Sequence, residues 1–186
     1  MSGDGSYYEI LRSFPEGCWH LGSLFDANEN EVDLADLTNG KPVDVAEPLI
    51  IHQYRRGNPM DFTLAGFNVP VVYEETAKTL RIVADQDLQV ISTRAAHSRQ
   101  KFAILNLLTT LPCLDEARTH VLLRPPHERA SKGKYESVGD IFVDPRIVQG
   151  HDLFRIQDWS IPLFCSKRVR DILEAQGGLG IEFRAA

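Results

Sequence analysis

The stretch that decides the fold reads LFRIQDWSIPLFCSKRVRDILEAQGGLGIEFR and occupies residues 153–184. An apolar run leads to Ser166, whose hydroxyl can accept a hydrogen bond from the free amides at a helix start. Apolar residues then recur at helical spacing until Gly177 and Gly178, which end the helix because glycine readily adopts left-handed geometry. From Leu179 onward apolar and polar residues alternate, as in a half-buried strand. The segment therefore predicts a strand–helix–strand unit packed on a sheet.

A blurred copy of this unit occurs earlier in the chain as MDFTLAGFNVPVVYEETAKTLRIV, residues 60–83. The proline and the matching leucine lie ten residues apart here (Pro70 to Leu80) and eleven apart in the later copy. Tyr73 or Glu74 takes the helix-capping position that serine holds in the later copy. We therefore expect a weak internal duplication, with pseudo-repeat units at residues 61–92 and 153–184.

The rest of the chain alternates short apolar runs with turns rich in Asp, Asn, Gly and Pro, which is typical of strands. Residues 48–56 predict a strand that forms a hairpin with residues 61–67, whereas residues 125–137 lack periodicity and predict a long loop. Further strands are expected at residues 6–14, 88–92, 101–111, 120–124 and 139–145. These patterns favour an α+β fold, with a mixed, mostly antiparallel sheet and few helices, in a single domain over residues 1–186.

Charge is distributed unevenly along the chain. The net charge is −6, yet the first fifty residues hold ten acidic and two basic residues, which gives −8 in that part. The acidic part is either an ordinary solvated face or a patch that steers a basic partner. The predicted loop at 125–137 is basic and offers a second surface. The candidate partner-binding residues are Asp26, Glu29, Glu31, Asp33, Asp36, His127, Arg129, Lys132 and Lys134.

Composition also excludes several classes of protein. The chain opens without a signal peptide, and its longest apolar runs are too short to cross a bilayer. Three cysteines without paired spacing suit a reducing compartment and predict buried thiols at Cys18, Cys113 and Cys165. We therefore expect a soluble cytoplasmic protein that does not bind a membrane.

Motifs that carry chemistry are missing from the sequence. The histidines have no metal-ligand spacing, no glycine-rich loop precedes a helix, and the acidic balance disfavours nucleic-acid binding. We expect no metal, no cofactor and no catalytic residues. An enzyme would need a site assembled from separated residues, and His97, Arg99 and Asp115 form the most plausible trio for one.

Several segments resemble one family of bacterial immunity proteins. The resemblance runs from about residue 37 to the C-terminus and rests on LTNGKPV (37–43), MDFTLAGFNVPVV (60–72), KFAILNLLTTLPCLD (101–115), HDLFRI (151–156) and PLFCSKRVRDILEAQGGLGIEF (162–183). The family is number eleven among the immunity proteins of polymorphic toxin systems, an α+β family formerly classed as a domain of unknown function and common in myxobacteria.

The resemblance implies a non-enzymatic protein that binds and neutralises a cognate protein toxin in the producing bacterium. An acidic protein suits a basic cytotoxic domain, such as a nuclease, as that partner. Two other functions remain open at this point. One is a small enzyme with a site built from separated residues, and the other is a non-catalytic structural or oligomeric scaffold protein.

Overall fold

The computed structural model describes residues 7–96 and 98–186, with the backbone alone at Phe67, Ala130, Ser131 and Lys132. This part of the chain forms fourteen strands and four α-helices. The strands are β1 (Tyr7–Arg12), β2 (His20–Phe25), β3 (Glu31–Val32), β4 (Leu49–Arg55), β5 (Phe62–Ala65), β6 (Val69–Tyr73), β7 (Leu88–Ala95), β8 (Lys101–Leu107), β9 (Thr110–Leu111), β10 (Val121–Leu123), β11 (Tyr135–Val138), β12 (Leu153–Ile156), β13 (Trp159–Ser166) and β14 (Ile181–Ala185). The helices are α1 (Glu74–Ala84), α2 (Pro126–Lys132), α3 (Pro145–Val148) and α4 (Lys167–Gln176), with 3-10 turns at Asp36–Thr38, Gly66–Asn68 and Asp85–Asp87.

The strands form two large sheets and a separate hairpin. The larger sheet has the strand order β3-β2-β4-β7-β8-β6-β5, the smaller has the order β14-β1-β13-β12-β9, and β10 pairs with β11. The β4–β7 and β9–β12 ladders are parallel, whereas the other ladders among the described strands are antiparallel. The predicted α+β class, with a mixed and mostly antiparallel sheet, is therefore confirmed.

Strand alternation sorts the apolar side chains into separate cores. On β8, Phe102 and Ile104 face one core while Ala103 and Leu105 face another, because successive strand residues point to opposite faces. The first core joins both sheets to α1 and α4. The second lies on the other face of the larger sheet, towards β2 and β4, and the third lies on the far face of the smaller sheet.

The two predicted repeat units have the same strand order. In one unit β5 and β6 lead into α1 and then β7, and the order in the sheet is β5-β6-β8-β7. In the other unit β12 and β13 lead into α4 and then β14, and the order is β12-β13-β1-β14. Each unit thus places an antiparallel strand between the two strands that flank its helix. This likeness supports an internal duplication, which stays a proposal.

The ends of the two helices follow the sequence. Ser166 accepts a hydrogen bond from the Val169 amide at 3.3 Å, and Gly177 ends α4 with a φ of 73°. Tyr73 precedes α1 without a side-chain cap, as its position in the sequence predicts. The three cysteines are buried, as predicted, and burial raises the pKa of Cys113 to about 12.

The predicted hairpin between residues 48–56 and 61–67 is wrong. β4 pairs with β2 and β7, whereas β5 pairs with β6. The reason lies in the turn after β4, where the Trp19 amide donates to Asn58 O at 3.1 Å and the Asn58 amide donates to Gly17 O at 2.8 Å. These bonds tie the turn to the segment before β2, so β5 starts on another part of the sheet.

Two further predictions, one of a loop and one of a strand, are also wrong. Residues 125–137 form α2 and most of β11 instead of a long loop, because Pro126 suits the first turn of a helix and Gly133, at a φ of 79°, ends it. Residues 139–145 form a single bridge between Val143 and Leu114 instead of a strand. Asp144 then caps α3 by accepting from the Arg146 amide at 2.9 Å.

Candidate interaction surface

The acidic candidates Asp26, Glu29, Glu31, Asp33 and Asp36, here called the acidic edge, lie together in the turns around β3. Two of them hold these turns. Asp26 accepts from the amides of Asn28 and Asn30, both at 2.8 Å, and Asp33 accepts from the Ala35 amide at 2.9 Å. The hydrogen bonds from Asn30 lower the pKa of Asp26. These two carboxylates therefore serve the local fold.

The other three carboxylates of the acidic edge have no such task. Glu29, Glu31 and Asp36 are exposed, and within the described part of the chain no lysine or arginine forms an ion pair with them. Glu31 also lines an open cavity of about 430 Å³ beside β3. Because the fold does not use these charges, they are free to act on a partner.

The basic candidates His127, Arg129, Lys132 and Lys134, here called the basic segment, lie in and just after α2. Arg129 Nε donates to Arg124 O at 2.8 Å, and Lys134 pairs with Glu116. The hydrogen bond from Lys134 lowers the pKa of Glu116, which also accepts from Tyr135 Oη at 2.6 Å. The side chain of Lys132 lies outside the described residues. The contacts of Arg129 and Lys134 therefore stabilise α2 and the residues that follow it.

The two predicted sets lie apart. The acidic edge belongs to the larger sheet. Helix α2 instead lies between β10 and β11, and Gly133 at its end lies close to Asp158, next to β13. Among the described residues no hydrogen bond, ion pair or cavity joins the two sets. They form two surfaces, of which the acidic edge has more unused charge.

Sequence reasoning missed a third feature, an aromatic face formed by Phe14, His20, Phe25, His52 and Tyr54. The Phe14 and His20 rings lie 4.6 Å apart, as do the Phe25 and His52 rings. The side chain of Tyr54 is 88% exposed, and Phe14 is 56% exposed. Exposed aromatic side chains that contact one another are a common feature of protein-binding surfaces.

Alternation in β2 and β4 creates the aromatic face. Leu24 and Ile51 point into the second core, so Phe25, His52 and Tyr54 point outward. Gly22 lies on the same outer side, since a Cβ added there would be in ordinary contact with Tyr54 Cβ at 3.7 Å. The sequence did contain a signal for this face, because His52 and Tyr54 occupy alternate, outward positions of a predicted strand.

A cavity of about 270 Å³ lies at one end of the aromatic face. Phe14, His20 and Tyr54 line it together with Arg12 and Trp19. Arg12 donates to Ala65 O at 2.5 Å, and its guanidinium lies 5.8 Å from the centre of the Phe14 ring. The indole Nε1 of the buried Trp19 has no acceptor among the described residues. This end of the face therefore combines aromatic rings with a cation.

The trio suggested for an enzyme is not assembled in the described residues. Arg99 lies between β7 and β8, whereas Asp115 follows β9 and accepts from the Ala117 amide at 3.1 Å. No hydrogen bond or cavity joins Arg99 and Asp115 in the part of the chain that the structure describes, and His97 lies outside that part. The trio is therefore not supported by the geometry of these two members.

A cavity of about 510 Å³ opens at the start of α1. Asp61, Glu74, Glu75 and Lys101 contribute to its lining. Burial raises the pKa of Asp61, which is the kind of shift found at functional sites and also in structural carboxyls. Glu75 is already paired with Lys78 at 2.7 Å. The cavity is therefore lined by several charged residues, of which one is a carboxyl with a raised pKa.

Buried polar groups join the sheets at two points. Asp87 is fully buried and accepts from Thr109 Oγ1 at 2.7 Å and from the Asp152 amide at 2.8 Å. His151 Nδ1 lies 2.6 Å from the same carboxylate, which can only accept, so this nitrogen donates. Arg155 donates to carbonyls of Asn68, Ser160 and Ile161, and burial lowers its pKa to about 9. Both groups hold the scaffold together.

Two kinds of feature are absent from the described residues. No group of three or more His, Cys, Asp or Glu side chains could hold a metal ion there. No described helix is long and apolar enough to span a membrane.

The fold and its surfaces define a two-sheet α+β scaffold with an exposed aromatic face beside an acidic edge. The chain belongs to the immunity protein family Imm11, whose model matches residues 84–186, more than half of the chain. A comparison with curated proteins finds no match. The family match begins at the last residue of α1, whereas the resemblance was expected to begin at about residue 37. Both the acidic edge and the aromatic face therefore lie before the matched range.

Proposed function

We propose that this protein binds and neutralises a cognate protein toxin of the bacterium that produces it. The observation that carries the proposal is membership of the Imm11 immunity family. The molecule agrees physically, because a packed scaffold with exposed aromatic and charged groups suits binding to another protein. We further propose that binding takes place in the cytoplasm and that the partner is a basic cytotoxic domain.

The test is a competition between bacteria that does not require the toxin to be known beforehand. The gene is deleted in the producing strain, and the deletion strain is grown in contact with its parent. We expect the parent to kill or arrest the deletion strain, and a single chromosomal copy of the gene to restore growth. Equal growth of the parent and the deletion strain, under conditions in which the parent inhibits unrelated strains, would contradict the proposal.

One observation favours an enzyme as the second candidate, namely the cavity at the start of α1, where burial raises the pKa of Asp61. Asp61→Asn keeps the shape of the side chain and removes its acid–base chemistry. If the protein acts by binding, we expect the Asp61→Asn gene to protect the deletion strain to the same extent as the wild-type gene. Loss of protection by a variant that still folds and accumulates would instead favour the enzyme.

A further inference from the structure

The aromatic face is an uncovered part of the larger sheet. On the side of β6, β7 and β8, helix α1 packs Ala77 and Leu80 against the strands and so covers them. On β2 and β4 the outward residues are instead left to solvent, with His52 exposed and Tyr54 almost fully so. A row of aromatic side chains exposed in this way is available to a partner.

The members of the aromatic face form one continuous strip. Phe14, His20 and Tyr54 line the same cavity, and Tyr54 and His52 lie two residues apart on the outer side of β4. The His52 ring contacts the Phe25 ring in a tilted arrangement, and Phe25 directly precedes Asp26 of the acidic edge. The strip therefore runs from a cavity at one end to a set of carboxylates at the other.

The charges around the strip indicate what kind of surface fits it. The acidic edge holds three exposed carboxylates that lack ion pairs among the described residues, and aromatic rings attract cations through their negative faces. Arg12 and the exposed Arg55 lie at the cavity end, away from the acidic edge. Positive side chains on the partner thus meet complementary groups over the part of the strip from Tyr54 to the acidic edge.

We propose that the aromatic face, with the acidic edge as its rim, is the surface that binds the toxin, and that it takes a face of the toxin bearing lysine or arginine side chains. This inference rests on the proposed function. A few residues near the centre of an interface dominate its binding energy, and tyrosine is enriched among them, while charges at the rim mainly change the association rate. Both features lie before residue 84, outside the part of the chain that the family model matches.

The test uses two variants of Tyr54 and one control. Tyr54→Thr removes the ring and keeps a residue that favours strands, while Tyr54→Lys adds a cation to the same position. Ile82→Ala is the matched control, because Ile82 is an apolar side chain 82% exposed on α1, away from the face. The probe is the purified toxic domain whose removal from the parent abolishes killing in the competition. Binding is measured by titration, and the thermal midpoint of each variant is checked first.

We expect Tyr54→Thr to weaken binding roughly tenfold or more, as for a residue at the centre of an interface. Tyr54→Lys should weaken it further, because it repels a cationic partner, whereas Ile82→Ala should bind like the wild type. Wild-type binding by folded Tyr54 variants would overturn the surface assignment and leave the proposed function intact. Tighter binding by Tyr54→Lys would show an acidic partner face and also overturn it.

Two further outcomes would count against the surface assignment in different ways. If the wild-type protein fails to bind the toxic domain, the proposed function itself is contradicted. If Tyr54→Thr changes the sedimentation of the protein from dimer to monomer and leaves toxin binding unchanged, the face joins two copies of this chain, which overturns the assignment.

Discussion

At the scale of single residues, the buried polar groups and the exposed ones have opposite tasks. Asp87 and Arg155 are fully buried and hydrogen-bond to backbone and side-chain groups of distant segments. Glu29, Glu31 and Tyr54 are exposed. Among the described residues, neither of the two glutamates forms an ion pair with a lysine or arginine. Substitution of the buried residues should therefore lower the stability of the fold, whereas substitution of the exposed residues should change binding.

Asp87→Asn is expected to destabilise the protein strongly. An amide group cannot accept hydrogen bonds from all the donors that converge on this carboxylate, and the buried donors left unpaired should lower the free energy of unfolding by roughly 3 kcal/mol. Urea denaturation measures this change. The control is Asp85→Asn in the same 3-10 turn, whose exposed ion pair with Arg81 should contribute at most about 1 kcal/mol. Equal stability of the two variants would rule out the role given to Asp87.

At the scale of elements, the segment just after α2 is held by a carboxylate on another part of the chain. Lys134 and Tyr135 both hydrogen-bond to Glu116, and the pKa of Glu116 is lowered, first by the Lys134 hydrogen bond. A carboxyl with a lowered pKa in the folded protein stabilises it above its ordinary pKa of about 4.3, and this contribution is lost as the pH falls through the folded value.

Glu116→Gln is therefore expected to lower stability at pH 7 and to have less effect as the pH falls below about 4. The difference in urea midpoint between wild type and variant, measured from pH 7 to pH 3, follows this loss. The effect should be small, because both Glu116 and Lys134 are more than one-third exposed. A difference that does not change with pH would mean that the ionised form of Glu116 is not what fastens the segment.

The sequence predicted individual elements better than it predicted how they pair. Local signals correctly placed Ser166, Gly177 and the apolar stripe of α4. The start, the end and the apolar periodicity of a helix depend on residues that are close together in the chain. The pairing of β4 with β2 and β7 depends on contacts between distant segments, which no local pattern encodes. The aromatic face was missed for the same reason, since Phe14 and Phe25 reach their partners only after β1, β2 and β4 come together.

At the scale of the whole molecule, we propose that residues 7–186 unfold as a single domain. The first core takes side chains from both sheets, including Ile10 and Leu163 of the smaller and Leu64 and Leu105 of the larger. Asp61 and Gly180 add backbone hydrogen bonds between residues 61–62 and 178–180. The first core is therefore shared by the two sheets, and unfolding of either sheet would expose part of it.

Single-tryptophan variants test this proposal, because Trp19 packs in the second core and Trp159 against the third. Trp159→Phe leaves a reporter in the larger sheet, and Trp19→Phe leaves one in the smaller. We expect each reporter to give the same urea midpoint as the circular dichroism of the same variant, as in two-state unfolding. Separate midpoints for fluorescence and circular dichroism would indicate two domains.

The acidic edge should act on the rate of toxin binding. Replacing Glu29, Glu31 and Asp36 with lysine spares Asp26 and Asp33, which hold the turns. Because charges at a rim mainly steer encounter, the triple variant should associate roughly tenfold more slowly at low salt, with dissociation much less affected. Surface plasmon resonance at several salt concentrations measures both rates. An association rate equal to that of the wild type at every salt concentration would remove the steering role.

The central claim is that the toxin binds across β2 and β4 and the acidic edge. Hydrogen–deuterium exchange of the protein, free and bound to the purified toxic domain, tests this claim most directly. We predict slower exchange on binding at residues 20–36 and 49–55, with no change in α2. Protection confined to α2 and the β10–β11 hairpin would place the toxin on the basic segment and contradict the account.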